Sequence, residues 1–248
     1  IKELCRYIQE QLDEMSAYMD VGTGRISIGE TEDKDWINNW KEFFHPFRLE
    51  DNIVIQPTWT EQASDIRDDD IVIQIDPGTA FGTGSHETTR LCIGNLKRYI
   101  DPDRHTTVMD VGCGSGILSI AARKLGASYV YGVDIDELAV KASIENLELN
   151  GITEDTYRIE KGDVIGDSEF AESAARIGQY DIVTANILAD VIIPLSGVMR
   201  PFMKPGGVFI SSGIIDQKEE AVKQALITNG FEVIEVRHMG EWVSIVAR

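Results

Sequence analysis

Cysteine is scarce in this sequence, and long apolar runs are missing. Cys5, Cys92 and Cys113 are too few and too irregularly spaced for a disulfide framework, and no CxxC pair indicates a zinc site. Such usage fits a reducing cytosol, so we expect a cytoplasmic protein. No stretch reaches about 18 consecutive apolar residues, which argues against a membrane span, and no basic-then-apolar signal peptide opens the chain.

Positive charge is also in short supply. The 248 residues include 23 Lys and Arg against 42 Asp and Glu, which gives a net charge of -19. Nucleic-acid binding needs basic side chains that neutralise phosphates, so we expect no direct nucleic-acid partner. An acidic surface suits a basic partner, but solubility alone is the simpler explanation of the charge.

The first sixty residues do not follow one pattern. Apolar residues recur at helical spacing over 1–16 and predict a helix. Because this pattern already holds at Ile1, we expect that an N-terminal piece is missing. A short strand is predicted over 25–28, after a glycine break. Over 35–44 the sequence predicts a helix with one aromatic stripe, expected to pack as a seam between domains and formed by Trp36, Trp40 and Phe44.

Residues 53–100 predict two strands, two loops and a helix. Ile53–Ile55 and Ile71–Ile75 are apolar or alternate, as strands do. The acidic stretch Asp65–Asp70 between them is expected to be a solvated loop. A glycine-rich loop over Asp76–His86 follows, and then a helix over His86–Ile100.

From residue 106 onwards, short apolar segments alternate regularly with helical ones. The predicted strands are Thr107–Val111, Tyr129–Val133, Tyr157–Glu160, Asp181–Ala185 and Val208–Ser211. The predicted helices lie near 115–126, 136–150, 168–177, 188–203 and 216–229. Such alternation is typical of βαβ units, which form a parallel sheet covered on both faces.

The last two predicted strands have a different connection. Phe231–Arg237 and Trp242–Ala247 are separated by His238–Glu241 alone, and so short a link joins antiparallel strands. A parallel sheet closed by an antiparallel hairpin is typical of class I methyltransferases and not of nicotinamide dehydrogenases. We therefore predict an α/β chain with a class I methyltransferase, Rossmann-like sheet.

A glycine-rich turn follows the first of these strands and precedes a helix. In Asp110–Gly116 (DVGCGSG), the backbone at Gly112 and Gly114 can turn sharply and approach a ligand without a Cβ in the way. The helix N-terminus offers N–H groups to a polar tail such as a methionine carboxylate. Asp134 ends the next strand, where it can accept from both ribose hydroxyls. The dinucleotide pattern GxGxxG needs glycine where Ile117 stands, so S-adenosylmethionine is favoured over NAD.

Two further polar residues follow strands at the edge where such sheets bind ligands. Asp163 could accept from an adenine amino group, or could be an exposed turn aspartate. Asn186 can lie beside the transferred methyl and accept from an incoming amine, although asparagine is also a common helix N-cap. Both possibilities stay open at each position.

Several other motifs are incomplete. The loop Gly78–Ser85 lacks the lysine of a GxxxxGK phosphate loop, and Arg90 stands where a zinc HExxH motif starting at His86 needs its second histidine. ATP and metal ions are therefore not expected. Cys113 has no neighbouring base that would make it a nucleophile, so a packing role is expected. Structural or exposed positions are expected for His45, His105 and His238.

The same segments resemble one family in particular. Asp76–Arg90 (DPGTAFGTGSHETTR), Asp110–Gly116 and Asn186–Ala189 (NILA) are similar to the ribosomal protein L-eleven methyltransferases (PrmA). The stretch from Asp35 to Pro46 resembles the linker of that family. The resemblance covers roughly residues 25–248, and its first motif is highly specific.

This resemblance implies a cofactor and a substrate. The cofactor is S-adenosylmethionine, with the backbone of Gly82–Gly84 closing over it. With the residues named above, the predicted binding set is Phe81, Gly82, Thr89, Gly112, Gly114, Asp134, Asp163 and Asn186. Asn186 is also the predicted catalytic residue. The implied substrate is a basic large-subunit ribosomal protein, L-eleven, methylated on lysine ε-amino groups and on its N-terminal α-amino group.

The resemblance also implies three regions and a monomeric enzyme. Residues 1–33 would be the remnant of a substrate-recognition domain, 34–60 a linker and 61–248 the catalytic domain. One alternative is another class I methyltransferase that acts on a glutamine amide or a nucleobase, but such enzymes commonly carry [DN]PPY where this chain has Asn186–Ala189. A second alternative is a non-catalytic cofactor-binding module of ribosome assembly.

Overall fold

A computed structural model describes residues 2–15, 23, 26, 45–50, 52–61, 65–76 and 86–248. The chain divides into two compact units, residues 1–43 and 44–248. In the first unit, helix α1 (Lys2–Met15) matches the helix predicted over 1–16. The predicted strand over 25–28 and the predicted aromatic helix over 35–44 lie outside the described residues. The three-region division of the chain stays a prediction.

A small sheet of three strands opens the second unit. β1 (Phe47–Glu50) and β2 (Ile53–Pro57) run antiparallel, and β3 (Ile71–Ile75) runs parallel to β2 in register. Every residue of β2 is buried, because this apolar strand lies between the other two. The sequence predicted strands at β2 and β3, but not that they pair with each other.

The acidic loop before β3 is not simply solvated. The Arg48 guanidinium donates to both carboxylate oxygens of Asp70, at 2.5 and 2.8 Å, and the Asp70 side chain is fully buried. The hydrogen bonds from Arg48 and from the Arg67 N–H lower the pKa of Asp70 to about 2. The expectation of a purely solvated loop was therefore wrong at Asp70, which anchors the loop to β1.

Helices and strands alternate through the rest of the chain, as the sequence predicted. The helices are α2 (Glu87–Tyr99), α3 (Ile117–Lys124), α4 (Glu137–Leu149), α5 (Ser168–Ile177), α6 (Ala189–Ser196) and α7 (Glu219–Thr228). The strands are β4 (Thr107–Val111), β5 (Tyr129–Asp134), β6 (Tyr157–Lys161), β7 (Tyr180–Asn186), β8 (Met203–Ile215), β9 (Val233–Met239) and β10 (Trp242–Ala247).

The seven strands β4–β10 form one sheet in the order β6-β5-β4-β7-β8-β10-β9. β10 runs antiparallel to both of its neighbours, and the other pairs are parallel. Fully buried side chains on these strands, such as Met109, Tyr131, Val183 and Phe209, make the core against the covering helices. The predicted class I methyltransferase fold is thus confirmed.

Two boundaries differ from the prediction for identifiable reasons. The helix predicted over 188–203 ends at Ser196, and β8 begins at Met203 instead of Val208. The Pro-Gly-Gly sequence at 205–207, a combination that usually interrupts strands, lies inside β8, where the register shifts and Gly206 has a positive φ of 81°.

The second difference is in the final hairpin. β9 continues through His238 to Met239, so the loop is only Gly240 and Glu241, and Gly240 has a φ of 58°. Among the helices that the structure describes, none combines the length and apolar character needed to cross a bilayer.

Candidate cofactor and substrate site

A cavity of about 740 Å³ opens at the carboxyl edge of the parallel strands. It lies beside the ends of β4, β5 and β7, which is where open α/β sheets bind ligands. Its lining includes most of the described residues that the sequence singled out, namely Thr89, Gly112, Gly114, Asp134, Asp163 and Asn186.

The glycine-rich turn forms the floor of this cavity. Gly112, Gly114 and Gly116 all have positive φ, between 56° and 81°, a region that favours glycine. The Gly112 and Cys113 N–H groups donate to the Val133 carbonyl at 2.8 and 3.1 Å, which fixes the turn against β5. A Cβ on Gly112 would lie 2.6 Å from the Ile187 side chain, so the site has no room for a larger residue there.

Asp134 holds the turn and the start of α4 together. One of its carboxylate oxygens accepts from the Gly114 N–H at 2.9 Å, and the other accepts from the Asp136 N–H at 3.0 Å. A carboxylate oxygen can accept more than one hydrogen bond, so this arrangement leaves acceptor capacity for two ribose hydroxyls. The structure thus places Asp134 as predicted, and the ribose contact itself stays a prediction.

Asp110 lies beneath the turn and does not line the cavity. Its side chain is 1% exposed, and one carboxylate oxygen accepts from the Ser119 hydroxyl at 2.7 Å. The other oxygen has no hydrogen-bond partner. Burial, with a smaller contribution from the nearby Asp134 charge, raises the pKa of Asp110 to about 7.

Asp163 serves the turn that follows β6. Its Oδ1 atom accepts from the N–H groups of Ile165 and Gly166 at 2.8 and 2.9 Å. The side chain is exposed and also lines the cavity. The turn interpretation of this aspartate is therefore correct, and the adenine contact stays a prediction.

Asn186 and Thr89 meet at the opposite side of the cavity, although 97 positions separate them in the chain. The Asn186 Nδ2 atom donates to the Thr89 hydroxyl at 3.3 Å. The Asn186 Oδ1 atom is buried and has no hydrogen-bond partner in residues 86–248 or the other described ranges. Asn186 does not cap α6, because the N-cap position belongs to Leu188, so the capping alternative was wrong.

The N-terminus of α2 positions Thr89. His86 caps this helix, and its Nδ1 atom accepts from the Thr88 N–H at 3.3 Å. Thr88 and Thr89 are buried, with exposures of 2% and 1%, and both line the cavity.

Apolar residues of the cavity went unrecognised in the sequence. Trp242, the first residue of β10, lines the cavity and packs edge-on against the His86 ring at 4.7 Å between centroids. Leu188 and Ile135 line it as well, and each is 70% exposed. Ile135 directly follows Asp134 and Leu188 lies two positions after Asn186, and this closeness to predicted site residues is the signal that could have identified them. Trp242 has no predicted site residue close to it in the sequence.

Two predicted binding residues, Phe81 and Gly82, lie outside the described residues. Cys113 is buried and contacts the Ser143 hydroxyl at 3.3 Å, and burial raises the pKa of its thiol. This supports the expected packing role. Within the described ranges no group of three or more His, Cys, Asp or Glu residues is arranged to bind a metal ion.

The residues that line the cavity fit a ligand in which a nucleoside is linked to an amino acid. The glycine cradle excludes a Cβ at Gly112, Asp134 retains acceptor capacity, and apolar walls at Val133 and Val164 suit a flat base. Asn186 Oδ1 is a buried acceptor without a partner among the described residues, and such an atom suits a donor from a ligand.

Comparison with known proteins agrees with this geometry. The family model for ribosomal protein L11 methyltransferase (PrmA) matches residues 2–248. A relative of that name from Lachnoclostridium phytofermentans is 55% identical over 256 residues, which cover 97% of this chain and 75% of the relative. Another, from Agathobacter rectalis, is 48% identical over 247 residues, covering 99% of this chain and 76% of the relative.

A solved structure is similar as well. The crystal structure of a ribosomal protein L11 methylase from Lactobacillus delbrueckii subsp. bulgaricus superimposes with a TM-score of 0.72 at 33% sequence identity. The match covers 83% of this chain and 98% of that protein.

Proposed function

Because the chain belongs to the ribosomal protein L11 methyltransferase family, we propose that it methylates amino groups of ribosomal protein L11 with S-adenosylmethionine. The target groups are lysine ε-amines and the N-terminal α-amine. The observation that carries the amine assignment is the buried Asn186 Oδ1 atom, which has no donor among the described residues and belongs to a residue that lines the cavity.

The chain's own residues would hold the cofactor along the edge of the sheet. Gly112–Gly114 and the N-terminus of α3 would receive its amino-acid end, and Asp134 would accept from the ribose hydroxyls. Asp163 and the neighbouring Val164 would lie beside the base. When bound, S-adenosylmethionine supplies an electrophilic methyl group on a sulfonium ion, and this is the difficult part of the chemistry.

The protein must present the amine as a neutral nucleophile. Removing a proton at pH 7 costs about 4.6 kcal/mol for a lysine of pKa 10.4, but only about 1 kcal/mol for an α-amine. Asn186 Oδ1 would accept from the remaining N–H of the neutral amine and so direct its lone pair. Thr89 fixes the orientation of that oxygen by accepting from the amide nitrogen on the other side.

Charge at the cavity edge favours a cationic substrate. Exposed acidic residues follow the carboxyl ends of four parallel strands or lie in the β9–β10 turn, namely Asp136, Glu137, Asp163, Asp167, Asp190, Asp216 and Glu241. Lys161 and Lys218 lie among them and pair with Glu137 and Asp190. With a net charge of -19, this edge attracts a basic protein electrostatically.

The geometry disfavours the two alternatives. Enzymes that methylate a planar glutamine amide or nucleobase commonly carry a proline and an aromatic residue after this strand, whereas the residues directly after Asn186 are Ile187 and Leu188. A non-catalytic binding module has no need for a buried acceptor without a partner, since leaving one costs roughly 1–3 kcal/mol.

A direct transfer experiment tests the proposal. The purified chain would be incubated with methyl-labelled S-adenosylmethionine and recombinant ribosomal protein L11, and labelled peptides would be located by mass spectrometry. We expect label on lysine side chains and on the α-amine. A matched L11 sample with its amines acetylated should take up none.

Three outcomes discriminate between the functions. Label on L11 amines supports the proposal, and label on a glutamine amide overturns the amine assignment. Binding of S-adenosylhomocysteine without any transfer to L11 supports a binding module and overturns the enzymatic function.

A further inference from the structure

One face of α4 carries three polar side chains that the proposed mechanism does not use. Ser143, Asn146 and Asn150 are spaced three and four residues apart, so they lie on the same face of the helix. Ser143 is fully buried, Asn146 is 2% exposed, and Asn150 is half-buried. Buried polar side chains of this kind need hydrogen-bond partners, and their partners identify their role.

The two asparagines act as a strand partner for the free edge of β3. Backbone groups of every second β3 residue point away from β2, towards α4. The Asn150 amide accepts from the Gln74 N–H at 2.9 Å and donates to the Gln74 carbonyl at 2.7 Å. The Asn146 amide does the same for Asp76, with distances of 2.9 Å from its N–H and 3.0 Å to its carbonyl.

Asn146 makes one more contact that Asn150 does not make. Its Nδ2 atom also donates to the Ser115 carbonyl at 2.9 Å, within the glycine-rich turn. The neighbouring Ser143 hydroxyl donates to the Gly114 carbonyl at 2.9 Å. Two consecutive carbonyls of the turn therefore accept hydrogen bonds from α4, which begins at Glu137, shortly after Asp134.

These contacts fix the direction of the peptide groups in the turn. In a planar trans peptide the carbonyl and the following N–H point in opposite directions. The Gly114 and Ser115 carbonyls are held towards α4, and the Gly116 N–H that follows them donates to the Cys113 carbonyl at 2.8 Å. These bonds therefore hold the turn in the conformation in which Gly112 and Gly114 line the cavity.

We propose that Asn146 is a positioning residue for cofactor binding, because it ties the glycine-rich turn to the end of β3 through α4. Its side chain uses both amide hydrogens and its oxygen at once, and no other uncharged side chain of this length offers that combination. Ser143 contacts the turn and not β3, whereas Asn150 contacts β3 and the Asn146 backbone carbonyl but not the turn. Substitutions at these three positions can therefore distinguish the contacts to the glycine-rich turn from the contacts to β3.

This separation provides matched variants. Asn150→Ala removes the Gln74 contacts and the bond to the Asn146 carbonyl, Ser143→Ala removes the turn contacts to Cys113 and Gly114, and Asn146→Ala removes contacts to both β3 and the turn. The readouts are the dissociation constant of S-adenosylhomocysteine by calorimetry and the Tm of the ligand-free chain. We expect the dissociation constant to rise about tenfold in Asn146→Ala and several-fold in Ser143→Ala, and less than about twofold in Asn150→Ala.

A variant of nearly the same shape distinguishes weaker ligand binding from a folding defect. Asn146→Asp keeps the acceptor but places a carboxylate oxygen against the Asp76 and Ser115 carbonyls, so we expect weaker ligand binding even where Tm is retained. In steady-state assays, the KM for S-adenosylmethionine should rise, whereas the KM for the protein substrate should stay unchanged.

Two results would overturn the inference. One is an equal rise of the dissociation constant in Asn150→Ala and Asn146→Ala at matched Tm, which would make both residues merely structural. The other is an unchanged constant in Asn146→Ala. The inference rests on the proposed cofactor but not on the substrate, so a chain that binds S-adenosylhomocysteine without methylating L11 would contradict only the proposed substrate.

Discussion

The side-chain amide of Asn186 uses only one of its two polar atoms within the part of the chain that the structure describes. Its nitrogen donates to Thr89, and its oxygen is buried without a partner there. Sequence reasoning identified Asn186 from its position after β7, but could not identify its partner, because contacts across 97 positions depend on how α2 packs on the sheet. The sequence also left open a cap on α6, which needs a local geometry that only the structure defines.

The first prediction concerns this oxygen. Asn186→Ala should lower kcat by about a hundredfold, because the amine loses the acceptor that orients it. The dissociation constant of S-adenosylhomocysteine should change far less, since Asp134 and the glycine-rich turn remain. Single-turnover methylation and calorimetry measure the two quantities. Similar small losses in both would contradict the orienting role.

The second prediction concerns Asp110, whose pKa is raised from 3.8 to about 7 by burial. Between these two pKa values the folded chain binds more protons than the unfolded chain, so stability falls as pH rises from about 4 to 7. Asp110→Asn removes this titration, while the Ser119 hydroxyl can still donate to the amide oxygen.

The stability difference between this variant and the parent chain should therefore shift in favour of the variant by about 2–3 kcal/mol between pH 5 and pH 8. Urea unfolding of the ligand-free protein at both pH values measures it. The amide nitrogen, which takes the place of the unpartnered oxygen, adds only a pH-independent offset. A difference that stays constant with pH would contradict the raised pKa.

At the scale of elements, the glycine-rich turn between β4 and α3 joins the end of a strand to the start of a helix at the candidate ligand site. The sequence predicted this element well, because glycines at positive φ leave a recognisable pattern. It predicted β8 less well, because Pro-Gly-Gly at 205–207 is normally a turn signal and only the neighbouring β7 holds it in the sheet. The pairing of α4 with β3 also escaped prediction, since two asparagines on a helix carry no strand signal.

The third prediction tests the cradle with a matched pair of glycines. Gly112→Ala forces a Cβ to within 2.6 Å of Ile187, and should raise the dissociation constant of S-adenosylhomocysteine at least about tenfold. Gly151→Ala is the control, because Gly151 has a similar φ of 68° but no atom within 4 Å of the added Cβ.

Alanine at a positive φ should lower the free energy of unfolding of both variants by roughly 1–2 kcal/mol, which thermal unfolding measures. Calorimetry should separate them, with Gly151→Ala binding the ligand as the parent chain does. Equal affinities in both variants would show that the cradle tolerates a side chain.

At the scale of the molecule, the sheet order and the acidic carboxyl edge determine what can approach the cavity. The sheet could be predicted because alternating apolar strands and amphipathic helices allow few topologies. The sequence could not predict that the acidic residues lie along one edge of the sheet, because this depends on the order in which the strands pair. Asp70 shows the same limit, since its partner Arg48 lies on a strand that the sequence did not predict.

The fourth prediction follows from the acidic edge. The kcat/KM for ribosomal protein L11 should fall about tenfold between 0.05 and 0.5 M salt, because salt screens electrostatic attraction between the basic substrate and this edge. The binding of S-adenosylhomocysteine, which carries no net charge, serves as the control and should change less than about twofold. A salt-independent kcat/KM would show that the acidic edge serves solubility alone.

The position of β10 in the sheet has a consequence for biosynthesis. Among the described strands β10 comes last in sequence, yet it lies between β8 and β9, and Glu232 and Arg248 pair through two backbone hydrogen bonds of 2.8 Å. A nascent chain on the ribosome can therefore assemble β4 to β8 early, but β8 keeps an unpaired edge until residues 242–247 have emerged. Closure of the sheet waits for this segment, and chains terminated before it expose the β8 edge to proteases and to aggregation.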